Sequence, residues 1–327
     1  MIGILCNQNN ESSFTKTLND LIRTSTKKFD TSIMLFSMPN INLITKTVYG
    51  SVINGKKVRA EKREIPTLIF NFSIQRSRKD IKKMRSLIEI EEITVINAVN
   101  RYNQLTIIEM LSSNNKTNNY LLPYFNYKKN DIYCNFPQTN NFLLKPDKGS
   151  DLSKTVYLRL DEYIFDIYSR FGKQRCHNCD VESNIQPIIK NENLILLNTP
   201  ELKTRNTQLV VIRVYLQKLF NNDWEIILKD DPASYDLGNE ACIKKIKAAA
   251  PQIIKCVQSF IPDIGFCHID FISDIDGVPY FMNFGGWDNK IFSSKVSLDV
   301  KLKIFENLME FAEGFKNLQK AGGEDVG

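Results

Sequence analysis

The sequence predicts an α/β protein in which a parallel α/β lobe is followed by mixed α+β lobes. Short apolar runs alternate with amphipathic helical patterns through residues 1–97, as in a parallel sheet covered by helices. From Gln208 onward the chain is rich in β-branched and aromatic runs, which favour strands. With 327 residues and 43% apolar content, the chain is long enough to bury one large core or several smaller ones.

The N-terminal lobe is predicted to span residues 1–97. The apolar patterns predict strands and helices in alternation, with strands at residues 2–6, 32–36, 67–72 and 94–97 and helices at residues 14–24 and 80–90. The Asn54-Gly55 pair between β-forming residues predicts a hairpin across residues 48–56. The basic stretch from Arg76 to Arg85 lies opposite the apolar face of its helix, so we interpret it as a solvated surface and not as a nucleic-acid site.

Residues 98–190 are predicted to form a second lobe. The polar run at residues 112–119 predicts a loop after a helix, and Gly149 with Ser150 predicts a turn after a strand. Ile164, Ile167 and Tyr168 recur at helical spacing and predict a helix over residues 161–171. The remaining elements of this lobe are expected as a helix at residues 105–111 and strands at residues 142–145, 185–189 and 194–197.

Residues 191–319 are predicted to form a third lobe, followed by a flexible tail at residues 320–327. A helix at residues 241–260, kinked or split at Pro251, interrupts its strands, and a helix at residues 300–318 ends it. The strands are expected at residues 209–216, 224–228, 265–272 and 278–284.

The composition favours a cytoplasmic protein. No apolar run is long enough to span a membrane, and the first residues lack a basic leader. The seven cysteines are odd in number and mostly lie in apolar runs, as expected of reduced thiols. Cys176 and Cys179 form a CxxC pair without two further Cys or His residues nearby, so we expect a loop with two thiols and not a zinc site.

Two segments carry residues suited to nucleotide chemistry. Lys145 ends an apolar strand just before a glycine-containing turn, where a cation and free backbone N–H groups can meet a phosphate. Asp270 lies inside an apolar strand, where a carboxylate is costly unless it is paired or bound to a metal. An Asp276-Gly277 turn joins this strand to another that ends near Asn283, so Asp270 is a candidate magnesium ligand.

The strand-turn-strand at residues 265–283 resembles the metal-binding hairpin of ATP-grasp enzymes. Over residues 48–290, the chain is similar to the YheC/YheD branch of that superfamily, the spore-coat-associated ATP-grasp proteins. The matching segments occur in the family's order and are Phe70-Asn71-Phe72 with Arg76, Leu122-Pro123, Lys145-Pro146 with Gly149-Ser150, Gln186-Pro187-Ile188, Arg213-Val214-Tyr215-Leu216-Gln217-Lys218 with Trp224, and residues 264–270 with Asp276-Gly277.

The resemblance implies an ATP-grasp fold with an N-terminal pre-ATP-grasp lobe, and ATP and Mg²⁺ as cofactors. Lys145 would contact the α- or β-phosphate, Arg213 would stabilise the transferred phosphate, and Asp270 with Asn283 would hold magnesium. The remaining nucleotide contacts that it implies are Gly149 and Ser150 in the phosphate loop, Gln186, Pro187 and Ile188 at the adenine, and Lys218.

The sequence departs from the family at several positions. Gln104 takes the place of a phosphate-binding lysine, and Val211 takes the place of an aspartate. Ser153 and Lys154 stand where further flap glycines are expected. The Glu-x-Asn that chelates magnesium falls on Asn283-Phe284-Gly285. These losses weaken nucleotide turnover more than nucleotide binding, because charge develops during phosphoryl transfer.

The leading hypothesis is therefore an ATP-dependent carboxylate–amine ligase that acts through an acyl phosphate. The alternative is a catalytically degenerate ATP-grasp fold that serves as a binding or partner subunit. The implied partner is a small-molecule or peptide substrate with a carboxylate and an amine, while a homodimer or a paired ATP-grasp chain stays open. Neither a nucleic acid nor a membrane is expected as a partner.

Overall fold

A computed structural model describes residues 1–55, 57–127, 140–149, 152–189, 193–205, 208–228, 240–287, 292 and 296–324. Its strands form sheets of seven, six and four strands and one two-stranded ribbon. None of the helices in these ranges combines the length and the apolar character needed to cross a membrane.

The seven-stranded sheet occupies the N-terminal part of the chain. Its strands are β1 (Ile2–Cys6), β2 (Ile33–Ser37), β3 (Ile41–Asn42), β4 (Thr47–Asn54), β5 (Lys57–Glu64), β6 (Leu68–Asn71) and β7 (Thr94–Ile96). Parallel pairing of β1 with β2 and β6, and of β6 with β7, confirms the predicted parallel arrangement. The β4–β5 hairpin is also confirmed, with Gly55 at φ 55° in its turn. Helices α1 (Glu11–Thr24) and α2 (Arg78–Ile88) connect the parallel strands.

The six-stranded sheet follows two helices, α3 (Gln104–Ser112) and α4 (Asn115–Asn118). Its strands and the helix among them are β8 (Tyr124–Tyr127), β9 (Asn141–Pro146), β10 (Val156–Asp161), β11 (Ile164–Ser169), β12 (Gly172–His177), α5 (Val181–Ile189) and β13 (Leu194–Asn198). The strand order is β12-β11-β10-β9-β13-β8 with antiparallel pairing. One face of the sheet packs against α5 through Leu144, Ile167, Ile185 and Ile188.

Three predictions in this region differ from the structure. Residues 161–171 do not form a helix, because β10 and β11 form an antiparallel hairpin there. The true pattern is the alternation of a strand: Phe165 and Ile167 face α5, while Asp166 and Tyr168 face the other way. Apolar residues on both faces produced the helical spacing that predicted a helix. The predicted strand at residues 185–189 is the second half of α5, and it includes Pro187. The polar run at residues 112–119 is not all loop, since it includes α4.

The four-stranded sheet completes the fold. The elements of this part are β14 (Thr204–Arg205), β15 (Gln208–Leu209), β16 (Val211–Lys218), β17 (Trp224–Leu228), α6 (Glu240–Phe260), β18 (Phe266–Ser273), β19 (Pro279–Gly285) and α7 (Leu298–Glu324). The order β17-β16-β18-β19 is antiparallel throughout. Helix α6 continues through Pro251 as one element. Its apolar face and that of α3 share a core with β16, β18 and β19, so β18 lies in the interior.

Candidate active site

Four of the residues singled out in the sequence lie together where the six-stranded and four-stranded sheets meet. Arg213 on β16 pairs across the sheet with Asp270 on β18, and Asp270 pairs with Asn283 on β19. Lys145 reaches this row from β9, because its side chain points to the face of the six-stranded sheet opposite α5. The four side chains therefore converge from four strands, and three of those strands are adjacent.

The Asp270 carboxylate forms a two-pronged ion pair with Arg213. Arg213 Nε donates to Oδ1 at 2.7 Å, and its NH2 group donates to Oδ2 at 2.9 Å. Asn283 Nδ2 lies 3.4 Å from Oδ2. Asp270 is fully buried, which disfavours its charge, but the Arg213 guanidinium outweighs burial and lowers the pKa of the carboxyl. The Arg213 guanidinium is therefore the main group that holds the carboxylate ionised in the interior.

Lys145 is a second buried cation in the same place. Its ammonium group donates to the carbonyl of Met282 and to Asn283 Oδ1, the latter at 3.0 Å. No part of the residue is exposed. Burial lowers the pKa of Lys145 to about 7, although the Asp270 charge acts in the opposite direction. The predicted strand that delivers this lysine is confirmed as β9.

Gln104 supports the strand that carries Asn283. It is fully buried, and its amide group bonds both backbone groups of Phe284: Nε2 donates to the carbonyl at 2.8 Å, and Oε1 accepts from the N–H at 2.9 Å. Gln104, which stands where ATP-grasp enzymes have a lysine, therefore holds the backbone of Phe284 and places no charge in the site. Sequence reasoning missed this role, because the partner lies 180 positions away along the chain.

Gly285 faces the ring of His268 on the neighbouring strand. A Cβ atom placed on Gly285 would lie 2.2 Å from His268 Cε1, which is far inside van der Waals contact. The ring is 3% exposed, and its Nδ1 lies 2.9 Å from the Gly286 carbonyl. His268 therefore occupies the space into which a longer side chain at position 285 would project.

The donors present do not fit the magnesium site implied by the resemblance. Mg²⁺ takes six oxygen ligands in near-octahedral geometry and favours carboxylates. Both oxygens of Asp270 are bonded to Arg213, Asn283 Oδ1 accepts from Lys145, and Gly285 offers no side chain. Among the described residues, no group of three or more His, Cys, Asp or Glu side chains is placed to hold a metal.

A cavity of about 340 Å³ adjoins the four-residue cluster. Met282, whose carbonyl accepts from Lys145, forms part of its wall, and so does Val211, two residues before Arg213. Tyr157 and Tyr168 line it from the six-stranded sheet. This volume lies within the range of small-ligand pockets, and the lining combines apolar and aromatic side chains with polar ones such as Arg170 and Gln208.

The other predicted nucleotide contacts are placed differently. Gly149 lies in the loop after β9 at φ 75°, and its N–H donates to the Tyr102 carbonyl at 3.0 Å. Ser150 lies outside the described residues. Lys218 lies at the far end of β16, five residues from Arg213, or about 16 Å along the strand. Gln186, Pro187 and Ile188 lie in α5, on the face of the sheet away from Lys145.

Further polar groups at the ends of β9 and β13 were not singled out in the sequence. The chain leaves β13 at Asn198 and Thr199, whose side-chain oxygens Oδ1 and Oγ1 are buried and have no hydrogen-bond partner among the described residues. Tyr157 lines the cavity. Its hydroxyl donates to Asn141 Oδ1 and accepts from the N–H of Leu202, three residues after Thr199. Arg101 lies beside the loop after β9, because a Cβ on Gly149 would be 3.2 Å from its Nε. No pattern in the sequence indicates that a side-chain oxygen will be buried without a hydrogen-bond partner.

No family model matches the chain, and no curated protein resembles it in sequence. Solved structures do resemble it. D-Alanine-D-alanine ligase from Coxiella burnetii aligns over 100% of this chain and 99% of its own, with a TM-score of 0.51 and 9% identity. VanG D-Ala:D-Ser ligase from Enterococcus faecalis aligns over 96% and 98%, with a TM-score of 0.56 and 10% identity. The ATP-grasp ligase PsnB, solved with a minimal precursor, Mg and ADP, aligns over 94% and 98%, with a TM-score of 0.53 and 9% identity.

These similarities extend over nearly the whole of both chains and confirm the predicted fold class. The chain has the ATP-grasp fold, with the parallel lobe at its N-terminus. At 9–10% identity they describe the fold and not the activity of this chain.

Proposed function

We propose that this chain is an ATP-dependent ligase of the carboxylate–amine class. The observation that carries the proposal is the convergence of Lys145, Arg213, Asp270 and Asn283 beside a cavity of about 340 Å³, between the two sheets of an ATP-grasp fold. Two of these residues are cations, as a site for phosphate requires. The structural neighbours bear the names of ligases, and this supports the same reaction class. The YheC/YheD-like branch stays a prediction.

The proposed reaction has two steps. A substrate carboxylate oxygen attacks the γ-phosphorus of ATP, the bond to the bridging oxygen breaks, and ADP leaves. The nitrogen of an amine then attacks the acyl carbon, phosphate leaves with the electron pair of the C–O bond, and the amine releases a proton. Arg213 and Lys145 would stabilise the charge on the transferred phosphoryl group, while Asp270 would orient Arg213. Asn198 and Thr199 are better placed than α5 to accept bonds from adenine, because their oxygens are buried without partners.

The proposal is tested by measuring ATP binding and ADP formation. We expect Lys145→Met to lower ATP affinity at least tenfold, since a charge-assisted contact to phosphate is worth about 1.5–3 kcal/mol. Lys255→Met, at an exposed position of α6, is the matched control and should bind ATP normally. Unchanged affinity in a folded Lys145→Met variant would remove this lysine from the site.

A second candidate function is nucleotide binding without turnover. It is favoured by the Asp270–Arg213 pair, which engages both oxygens of the carboxylate, and by the His268 ring packed against Gly285. A panel of carboxylates and amines separates the two functions. ADP formation that Asp270→Asn abolishes would support the ligase. ATP binding with no ADP formation across the panel would support the second candidate.

A further inference from the structure

When Lys145 is protonated, the four side chains of the cluster carry more positive than negative charge. Among the described residues, Lys145 and Arg213 lie beside one carboxylate, Asp270, and Asn283 is neutral. All four lie in the interior, where charges are screened weakly and interact more strongly than in water. A buried group of this charge attracts an anion and repels a divalent cation.

The two cations also use the oxygen atoms that a metal would need. Arg213 bonds both oxygens of Asp270, and Lys145 bonds the amide oxygen of Asn283. A metal could bind only after displacing both cations from partners to which they are well fitted. Displacement would break the buried ion pair between Asp270 and Arg213, and breaking such a pair is strongly unfavourable.

The third position of the family's metal-binding hairpin is closed by packing. Gly285 supplies no oxygen, and the His268 ring leaves no room for a side chain there. Gln104 holds the intervening Phe284 backbone by two hydrogen bonds, so this strand is fixed in its present position. Neither Asn283 nor Gly285 therefore supplies a carboxylate to a metal.

We propose that the cluster binds nucleotide phosphate directly on Lys145 and Arg213 and does not need magnesium for nucleotide binding, an inference that rests on the proposed function. Lys145 and Arg213 supply the positive charge that magnesium supplies elsewhere in phosphoryl chemistry. Arg101 and Lys148 flank the loop after β9 and add positive charge at its exposed side.

The test is a calorimetric titration of the full chain with ATP, once in excess EDTA and once in excess Mg²⁺. We expect dissociation constants within threefold of each other. Binding that is more than tenfold tighter with magnesium would overturn this inference and leave the proposed function standing. An absence of binding in both buffers would overturn both, so the two failures can be told apart.

Asn283→Asp provides an independent test, because it changes charge with almost no change of shape. A second carboxylate beside Asp270 restores an anionic donor, so ATP binding in EDTA should weaken at least fivefold, and magnesium should recover most of the loss. Asn283→Ser, which shortens the side chain without adding charge, is the matched control and should stay insensitive to magnesium. Equal magnesium dependence in the Asp and Ser variants would contradict the charge argument. Near-ultraviolet circular dichroism would verify that each variant is folded.

Discussion

Asp270 and Lys145 are ionisable residues that are fully buried, and each is hydrogen-bonded to specific partners. A buried carboxylate is costly unless it is paired and hydrogen-bonded. Arg213 meets both oxygens of Asp270, and its side chain is itself only 16% exposed, so little water competes for the pair. Such a pair adds little net stability over apolar residues of the same volume, but the loss of one partner is costly.

Replacing Asp270 by Asn should therefore destabilise the protein by about 3–5 kcal/mol, because Arg213 and Lys145 would lose their only carboxylate in the cluster. Urea unfolding measures the change. The double variant Asp270→Asn with Arg213→Met should be more stable than Asp270→Asn alone, since the guanidinium that lost its bonds to the carboxylate is gone. Equal stability of the two variants would show that the pair is not coupled.

Gln104 offers a second test at the residue scale, because its side chain bonds both backbone groups of Phe284. Gln104→Lys would restore the residue type of the family but leave the Phe284 N–H without an acceptor and bury a charge. We expect it to lower the free energy of unfolding by about 2–4 kcal/mol. Gln104→Met keeps the length without the charge and should cost less. A Lys variant as stable as the native protein would contradict this role.

Part of the site could be predicted from the sequence because some of its residues are unusual for the segments that carry them. A carboxylate within an apolar strand and a lysine before a glycine turn are visible without a structure, and Asp270 and Lys145 do lie together. The fit of His268 against Gly285 and the bonds from Gln104 to Phe284 could not be predicted. They depend on which strands become neighbours and on the packing between them, and no spacing along the chain encodes either.

At the scale of elements, the β10–β12 sheet is stabilised by a buried carboxylate surrounded by three cations. Asp166 is opposite Arg159 and Arg175 in the sheet register, and Lys173 also contacts it, with N···O distances of 2.9–3.0 Å. Burial raises the pKa of Asp166, but bonds from Arg175, Lys173 and Arg159 outweigh it and hold the pKa well below the usual range. The strands therefore gain stability from the ionised form.

This gives a pH dependence with a definite sign. Because the folded pKa lies below the unfolded value of about 4, the stabilisation is complete above that value and is lost as the pH falls below it. At pH 7, Asp166→Asn should be less stable than the native protein by about 1–3 kcal/mol. Thermal unfolding between pH 7 and pH 3 should show this difference shrinking at the acid end. A difference that stays constant with pH would contradict the assignment.

The elements that the sequence predicted correctly have long or strongly patterned stretches. The parallel strands of the first sheet, α1, α2, α6 and the β18–β19 hairpin fall close to their expected bounds. The β10–β11 hairpin was mistaken for a helix because six-residue strands are too short for periodicity to separate the two. The helical half of α5 was mistaken for a strand because its Ile residues favour strands locally, while packing against β9 and β11 stabilises the helix.

At the scale of the whole molecule, the N-terminal sheet is joined to the four-stranded sheet by buried asparagines. Asn97, at the end of β7, accepts from the N–H groups of Gly265 and Phe266 and donates to the Phe266 carbonyl, with distances of 2.7–3.0 Å. Asn100 donates to the carbonyls of Asn71 and Ser73 and accepts from the Trp287 N–H. These bonds position the start of β18, the strand that carries Asp270, against the N-terminal lobe.

Asn97 also has a left-handed backbone at φ 60°, which asparagine tolerates better than other non-glycine residues. Asn97→Ala should thus remove four buried hydrogen bonds, including one to Asn100 Oδ1, and add backbone strain, lowering the free energy of unfolding by about 3 kcal/mol or more. Asn222→Ala is the matched control, because Asn222 has φ 67° in an exposed turn and makes no such bonds across the lobes. It should cost only about 1 kcal/mol, from the backbone alone.

Hydrogen exchange would locate the effect of these two substitutions. In Asn97→Ala, the amides of Gly265 and Phe266 lose their acceptor and should exchange faster, while those of β17 keep their partners on β16 and should change little. If the lobes are coupled through Asn97, ATP affinity should also fall, because the start of β18 is less well positioned. The Asn97 and Asn222 substitutions could instead have equal effects on stability and on exchange at β18. Backbone strain alone would then account for the lost stability, and other contacts would hold the lobes together.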